Sequence, residues 1–190
     1  EGGPTAFPKR LDLSANYGPN GYVIGANCIS VGPFAVSTVT GNRQFMVPLK
    51  LEAGFPLTQI GVQVTTALAA STVNVAIASI DPATGLPGRI VAAANGLDSA
   101  TTGIKMGNIA SRMFAPGWYW QLFNSSGDIG LTSIAEFLPS PLGWVGDRVI
   151  RGRNRGRTQA AYTVGADAMG GTSGSYGGLD NAFHPIILMR

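Results

Sequence analysis

The 190-residue chain has one histidine, His184, and one cysteine, Cys28. A Ser-His-Asp or Cys-His catalytic group would have to take its imidazole from His184. That residue precedes Pro185 inside an apolar terminal run and is expected to be a strand residue. Cys28 stands before Ile29 and Val31, with no His, Lys or Arg close by in sequence to lower its pKa. It is expected to pack as a small hydrophobe. One residue of each type cannot close a zinc site. No Asp-x-Asp-x-Asp spacing supports a calcium loop. No catalytic residue, metal ligand or cofactor is therefore expected, and a lone cysteine excludes an intrachain disulfide.

Acid–base catalysis by carboxylates needs two of them to converge. The ten acids (Glu1, Asp12, Glu52, Asp81, Asp98, Asp128, Glu136, Asp147, Asp167, Asp180) are scattered singly, mostly at turns. There, side-chain bonds to nearby backbone N–H groups explain them. Gly170-Gly171-Thr172-Ser173-Gly174 lacks the lysine of a phosphate-cradling loop and reads as an ordinary glycine-rich loop.

Two features are better suited to binding. Arg148, Arg151, Arg153, Arg155 and Arg157 place five of the 13 basic residues within ten positions. The last four alternate with Gly152, Asn154, Gly156 and Thr158, so on a strand they would share one face. Such a patch can contact an acidic partner surface, a polyanionic glycan or nucleic acid. Without interleaved aromatics for base stacking, nucleic acid is not the expected partner. The second feature is aromatic. Trp118 and Trp120 would share one face of a strand and Tyr119 the other, with one face taken by the core. Trp144 in its loop, and Tyr176 within the Gly/Ser/Tyr stretch 165–181, are the better placed for exposed contact. The candidate ligand- or host-contact set is Trp144, Arg151, Arg153, Arg155 and Tyr176.

The elements that must position these residues follow from composition and periodicity. Hydrophobic residues make up 45% of the chain, enough for a core, whereas charged residues make up 12%, about half the ~25% typical of soluble domains. Together with a mean hydropathy of +0.19, this excludes a coiled coil and argues against disorder. It also points to a homo-oligomer, since subunit interfaces are poorer in charge than free surface. Outside the arginine cluster the chain is close to neutral. No cationic leader opens it, and no apolar run reaches the ~18 residues of a membrane span, so membrane insertion is not expected. A start at Glu1 rather than Met points to a processed N-terminus or a partial record of one.

Residues 1–27, rich in Gly, Pro and Asn, read as an extended N-terminal arm, and 28–190 as one β domain. Strand signals cover 29–40, 44–51, 58–66, 72–80, 89–94, 104–113, 118–123, 129–135 and 183–189. Ile60, Val62 and Val64 alternate with Gln59, Gln63 and Thr65. Val73, Val75 and Ile77 point inward, against Thr72 and Asn74. The stretch 67–71 reads as a turn, 81–88 as a turn-rich surface loop and 95–103 as loop. Short strands between turn signals, with no convincing helix, predict an all-β fold, a jelly-roll-like antiparallel β-sandwich.

One series of motifs looks familiar. It runs through Phe45-Met46-Val47-Pro48, Ile60-Gly61-Val62-Gln63-Val64-Thr65-Thr66, the strand 73–80 and the loop from Asp81 to Gly85-Leu86-Pro87-Gly88. It continues through Thr102-Gly103, Pro116-Gly117-Trp118-Tyr119-Trp120 and Pro185-Ile186-Ile187-Leu188. This order, covering about 45–190, resembles a β-sandwich domain of tailed-bacteriophage structural proteins. Ala78-Ser79-Ile80 departs from that pattern, and the arginine-rich 148–157 has no counterpart in it. The resemblance implies a non-enzymatic virion part on the particle surface, often trimeric, in contact with other virion proteins and displaying loops. The role expected is a tail-fibre or spike component touching the host, with a surface glycan as a possible ligand. Two other readings stand beside it: a capsid-surface decoration or head-fibre protein, and a carbohydrate-binding module of a secreted enzyme.

Overall fold

The computed structural model describes residues 17–18, 22–24, 35–51, 54–134, 161–168, 184–185 and 187–190. Within them the chain is all β, with no helix and so none that could cross a membrane. The strands are β1 (Tyr17–Gly18), β2 (Tyr22–Ile24), β3 (Ala35–Val39), β4 (Gln44–Leu51), β5 (Phe55–Thr66) and β6 (Thr72–Ile80). They continue with β7 (Pro87–Asp98), β8 (Gly103–Phe114), β9 (Gly117–Ser125), β10 (Ile129–Ile134), β11 (His184–Pro185) and β12 (Leu188–Met189).

Two antiparallel sheets form. The larger one has the order β1-β2-β12-β5-β10-β11, with β8 on β5 and β3 on β10. The smaller has the order β4-β9-β6-β7. Period-2 alternation dictates the layering. On β5, Leu57, Ile60, Val62 and Val64 face inward. They meet Val47, Leu49, Val73, Val75, Ile77 and Phe123 from the smaller sheet in one buried core. A fully buried Leu, Ile, Val or Phe contributes about 1.5–3 kcal/mol, so this layer dominates the energetics. The expected β-sandwich is therefore the fold.

The alternation read for 58–66 and 72–80 holds, with one difference. The smaller sheet is buried on its outward face too. Met46, Ala76, Ala78, Ile90, Trp120 and Leu122 form a second core there with Tyr162 and Ala168. Asn74, on that outward row, is 5% exposed rather than solvated. Segment 161–168 covers this face because it is laid along β7 as an added edge. Arg89 lies opposite Asp167 in antiparallel register. The Ile90 amide donates to Ala166 O (2.9 Å), the Gly165 amide to Ile90 O (2.8 Å) and the Ala168 amide to Gly88 O (2.7 Å).

The loop expected over 95–103 is corrected, because β7 runs on to Asp98. Asn95 and Gly96 look like loop residues but sit in a register irregularity opposite Val73–Val75. Gly96 adopts φ +66°, open to glycine at no steric cost, and its amide donates to Asn74 Oδ1 (2.7 Å). The Asn95 side chain brackets Tyr162, donating to its carbonyl (2.9 Å) and accepting from its amide (2.8 Å). The expected turn at 67–71 forms and is closed by the Ser71 amide and hydroxyl, both donating to Leu68 O. Within the stretch read as an arm, β1 and β2 pair with each other, and β2 pairs with β12.

Candidate functional site

The candidate contact residues Trp144, Arg151, Arg153, Arg155 and Tyr176 lie outside the described residues, as do Cys28 and the glycine-rich 170–174. His184 falls on β11, opposite Ile134 of β10. On the aromatic strand Trp118 is half-buried, whereas Trp120 is withdrawn from any sugar-stacking platform. Trp118 and Trp120 do share one face of β9, but Trp120 is 2% exposed and its indole N–H donates to Gly85 O (3.1 Å). Tyr119 turns to the main core, edge-on to Phe114 at 5.6 Å. A stacking ring must offer a face to water; Trp120 offers none.

The turn joining β6 to β7 builds a groove instead. Its volume is about 630 Å³, and most of its lining comes from residues between Ser79 and Arg89, with Asp167 added from the covering segment. The turn is assembled by Asp81. Its Oδ1 accepts the Ala83 amide (3.0 Å), and its Oδ2 accepts the Thr84 hydroxyl (2.7 Å). Its backbone accepts the Gly85 amide and donates to Leu86 O. Aspartate suits this place because a short carboxylate can copy a backbone acceptor two residues ahead. The Thr84 hydroxyl, and then the Ala83 amide, hold its carboxyl below the ordinary 3.8. Asp81 is therefore ionised near neutrality and can accept hydrogen bonds but cannot act as a general acid.

Arg89 closes the other side. Its backbone is fixed by Ser79, whose hydroxyl accepts the Arg89 amide (3.1 Å) and donates to the Arg89 carbonyl (3.3 Å). Its guanidinium reaches Gly165 O at 3.5 Å. Asp81, Arg89 and Asp167 thus share one open groove with the apolar Ile80, Leu86 and Pro87. Carboxylates that accept, a guanidinium that donates and aliphatic side chains between them suit a polyhydroxylated ligand better than an ion of either sign. The sequence marked 81–88 as surface loop. It held no signal for the groove, because Asp167 reaches it from 78 residues beyond Arg89.

No group of three or more His, Cys, Asp or Glu able to hold a metal occurs among the described residues. Comparison of the chain with family models, with curated proteins and with solved structures gave no match.

Proposed function

We propose that this chain is a non-enzymatic structural protein of a tailed-bacteriophage virion, a homo-oligomeric and by preference trimeric part of a tail fibre or spike on the particle surface. What supports the reading is where the motifs of the resemblance fall. Ile60–Thr66 is the C-terminal half of β5, and Gly85-Leu86-Pro87-Gly88 turns β6 into β7. Thr102-Gly103 enters β8, and Pro116–Trp120 opens β9. These stretches fall on strands and turns of one and the same sandwich among the described residues, the arrangement that the resemblance calls for. A jelly-roll-like connectivity and loops displayed to the host belong to the same reading.

The groove beside Asp81 favours a second reading, a carbohydrate-binding module. The two part on particles and in solution. Antibodies against the purified chain, applied to phage particles carrying its gene, are expected to label the tail under the electron microscope. Label on the head instead favours a capsid-surface decoration protein, and unlabelled particles overturn the virion reading. A monomer whose glycan-array signal is abolished by Asp81→Asn with Arg89→Ala moves the module reading to the front.

A further inference from the structure

Asn95-Gly96 is one of two Asn-Gly pairs in the chain, the other being Asn20-Gly21. Such a pair carries a latent reaction. The amide nitrogen that follows an asparagine can attack its side-chain carbonyl carbon, which forms an N–C bond and expels ammonia. Water then opens the cyclic imide to aspartate or, through the other carbonyl, to isoaspartate. The net change is asparagine plus water to an acidic residue plus ammonia, with no oxidant or reductant. Glycine, having no Cβ, leaves the attacking nitrogen least obstructed.

Asn95 and Gly96 are both exposed, so water and hydroxide reach them. Their reacting groups are nevertheless engaged elsewhere. The Gly96 amide, the nucleophile, donates to Asn74 Oδ1 (2.7 Å). Asn74 is itself held, because its Nδ2 donates to Asn124 Oδ1 (2.8 Å) within the smaller sheet. The Asn95 carboxamide, the electrophile, has both ends on Tyr162, donating to its carbonyl (2.9 Å) and accepting its amide (2.8 Å). To bring Gly96 N onto Asn95 Cγ, the amide must leave Asn74 and the carboxamide must leave Tyr162. The second step is an opening of segment 161–168, which backbone bonds at Gly88 and Ile90 also fasten to β7.

We propose that Asn95-Gly96 is a deamidation site gated by segment 161–168, and that the reaction releases the segment irreversibly. Aspartate at position 95 puts a carboxylate oxygen against the Tyr162 carbonyl where Nδ2 had donated, so two acceptors face each other. Isoaspartate also adds a methylene to the backbone of β7. Either product undoes the fastening of Tyr162, which seals the second core over Met46, Ala78 and Trp120. The same release withdraws Asp167 from the groove beside Asp81. The closed segment thus protects the asparagine that holds it, and the first conversion removes that protection for good.

The test is peptide mapping by mass spectrometry of the full chain held in mildly alkaline buffer, with Asn95 resolved from Asn20. Asn95 is expected to convert about tenfold or more slowly in the folded chain than in urea, the factor that two hydrogen bonds confer on a local opening. Equal rates overturn the gating. Gly165→Pro cannot keep φ +87° or donate to Ile90 O. It is expected to restore most of the lost rate while β5 stays protected from hydrogen exchange, and a rate as slow as the wild type overturns the gating too. Should that variant not fold, the wild type decides in urea below its unfolding transition. Asn95 conversion must rise there with exchange of the Ala168 amide, and conversion that stays flat sinks the gate. The release is read from Asn95→Asp, in which the Ile90 and Ala168 amides are expected to exchange about tenfold or more faster, with β5 unchanged. Wild-type protection at both amides overturns the release.

Discussion

Gly61 shows how a single residue is forced by the strand beside it. A Cβ added there would run into the Lys105 carbonyl oxygen, with Met106 Sδ at 2.6 Å. Backbone cannot retreat as a side chain can, so Gly61→Ala is expected to destabilise the fold by about 1–3 kcal/mol, measured by urea denaturation. Asp81 is forced by local bonding instead. Its carboxyl is held below 3.8, first by Thr84 and then by Ala83. A lowered folded pKa stabilises above the unfolded value, and that stability fades as pH falls through the folded one. The turn's contribution should thus be whole above about pH 4 and lost progressively below it. Thermal midpoints followed against pH should show a shallower acid limb for Asp81→Ala. An unchanged limb would mean that the turn does not draw on the carboxylate.

At the scale of elements, the informative piece is segment 161–168. It is short, but it seals the second core by adding a hydrogen-bonded edge to β7 and seating Tyr162 between Asn95 and the apolar face. A buried amide helps to place it: Gln44 donates to Ala168 O (3.3 Å). Asn95→Ala removes both bonds to Tyr162. At about 0.5–1.5 kcal/mol net per hydrogen bond it should cost about 1–3 kcal/mol. The loss should be local. Hydrogen exchange at the Ile90 and Ala168 amides is expected to accelerate, while the amides of β5 keep wild-type protection. Acceleration everywhere would show that the segment has no opening of its own.

Across the whole molecule, β9 ties the layers together. Phe123 lies in the core between the sheets and Trp120 in the core outside them, three residues apart on one strand. Gln121 on the same strand accepts the Ile187 amide (2.9 Å) beside β12 of the larger sheet. Two cores that share a strand should melt together. Phe123→Ala and Trp120→Ala are each expected to cost about 3–5 kcal/mol and to shift one calorimetric transition. Two separate transitions in either variant would mean that the cores are independent.

Much of this was legible in the chain. The alternation of Ile60, Val62 and Val64 with Gln59 and Gln63, and of Val73, Val75 and Ile77 with their neighbours, determined strands, faces and the sandwich. That information is local, since side-chain direction reverses at every residue of a strand. Turn residues likewise placed 67–71 and 81–88. Only the tertiary structure decided what the outward faces meet. Asn74 and Trp120 carry no mark of burial, because the residues that cover them arrive with 161–168, far along the chain. Asn95-Gly96 reads as loop until Asn74 and Tyr162 supply the bonds that hold it in β7. The groove of Asp81, Arg89 and Asp167 exists for the same reason. Alternation is a property of neighbouring residues, whereas a covered face or a groove is made by long-range pairing, which no local pattern records.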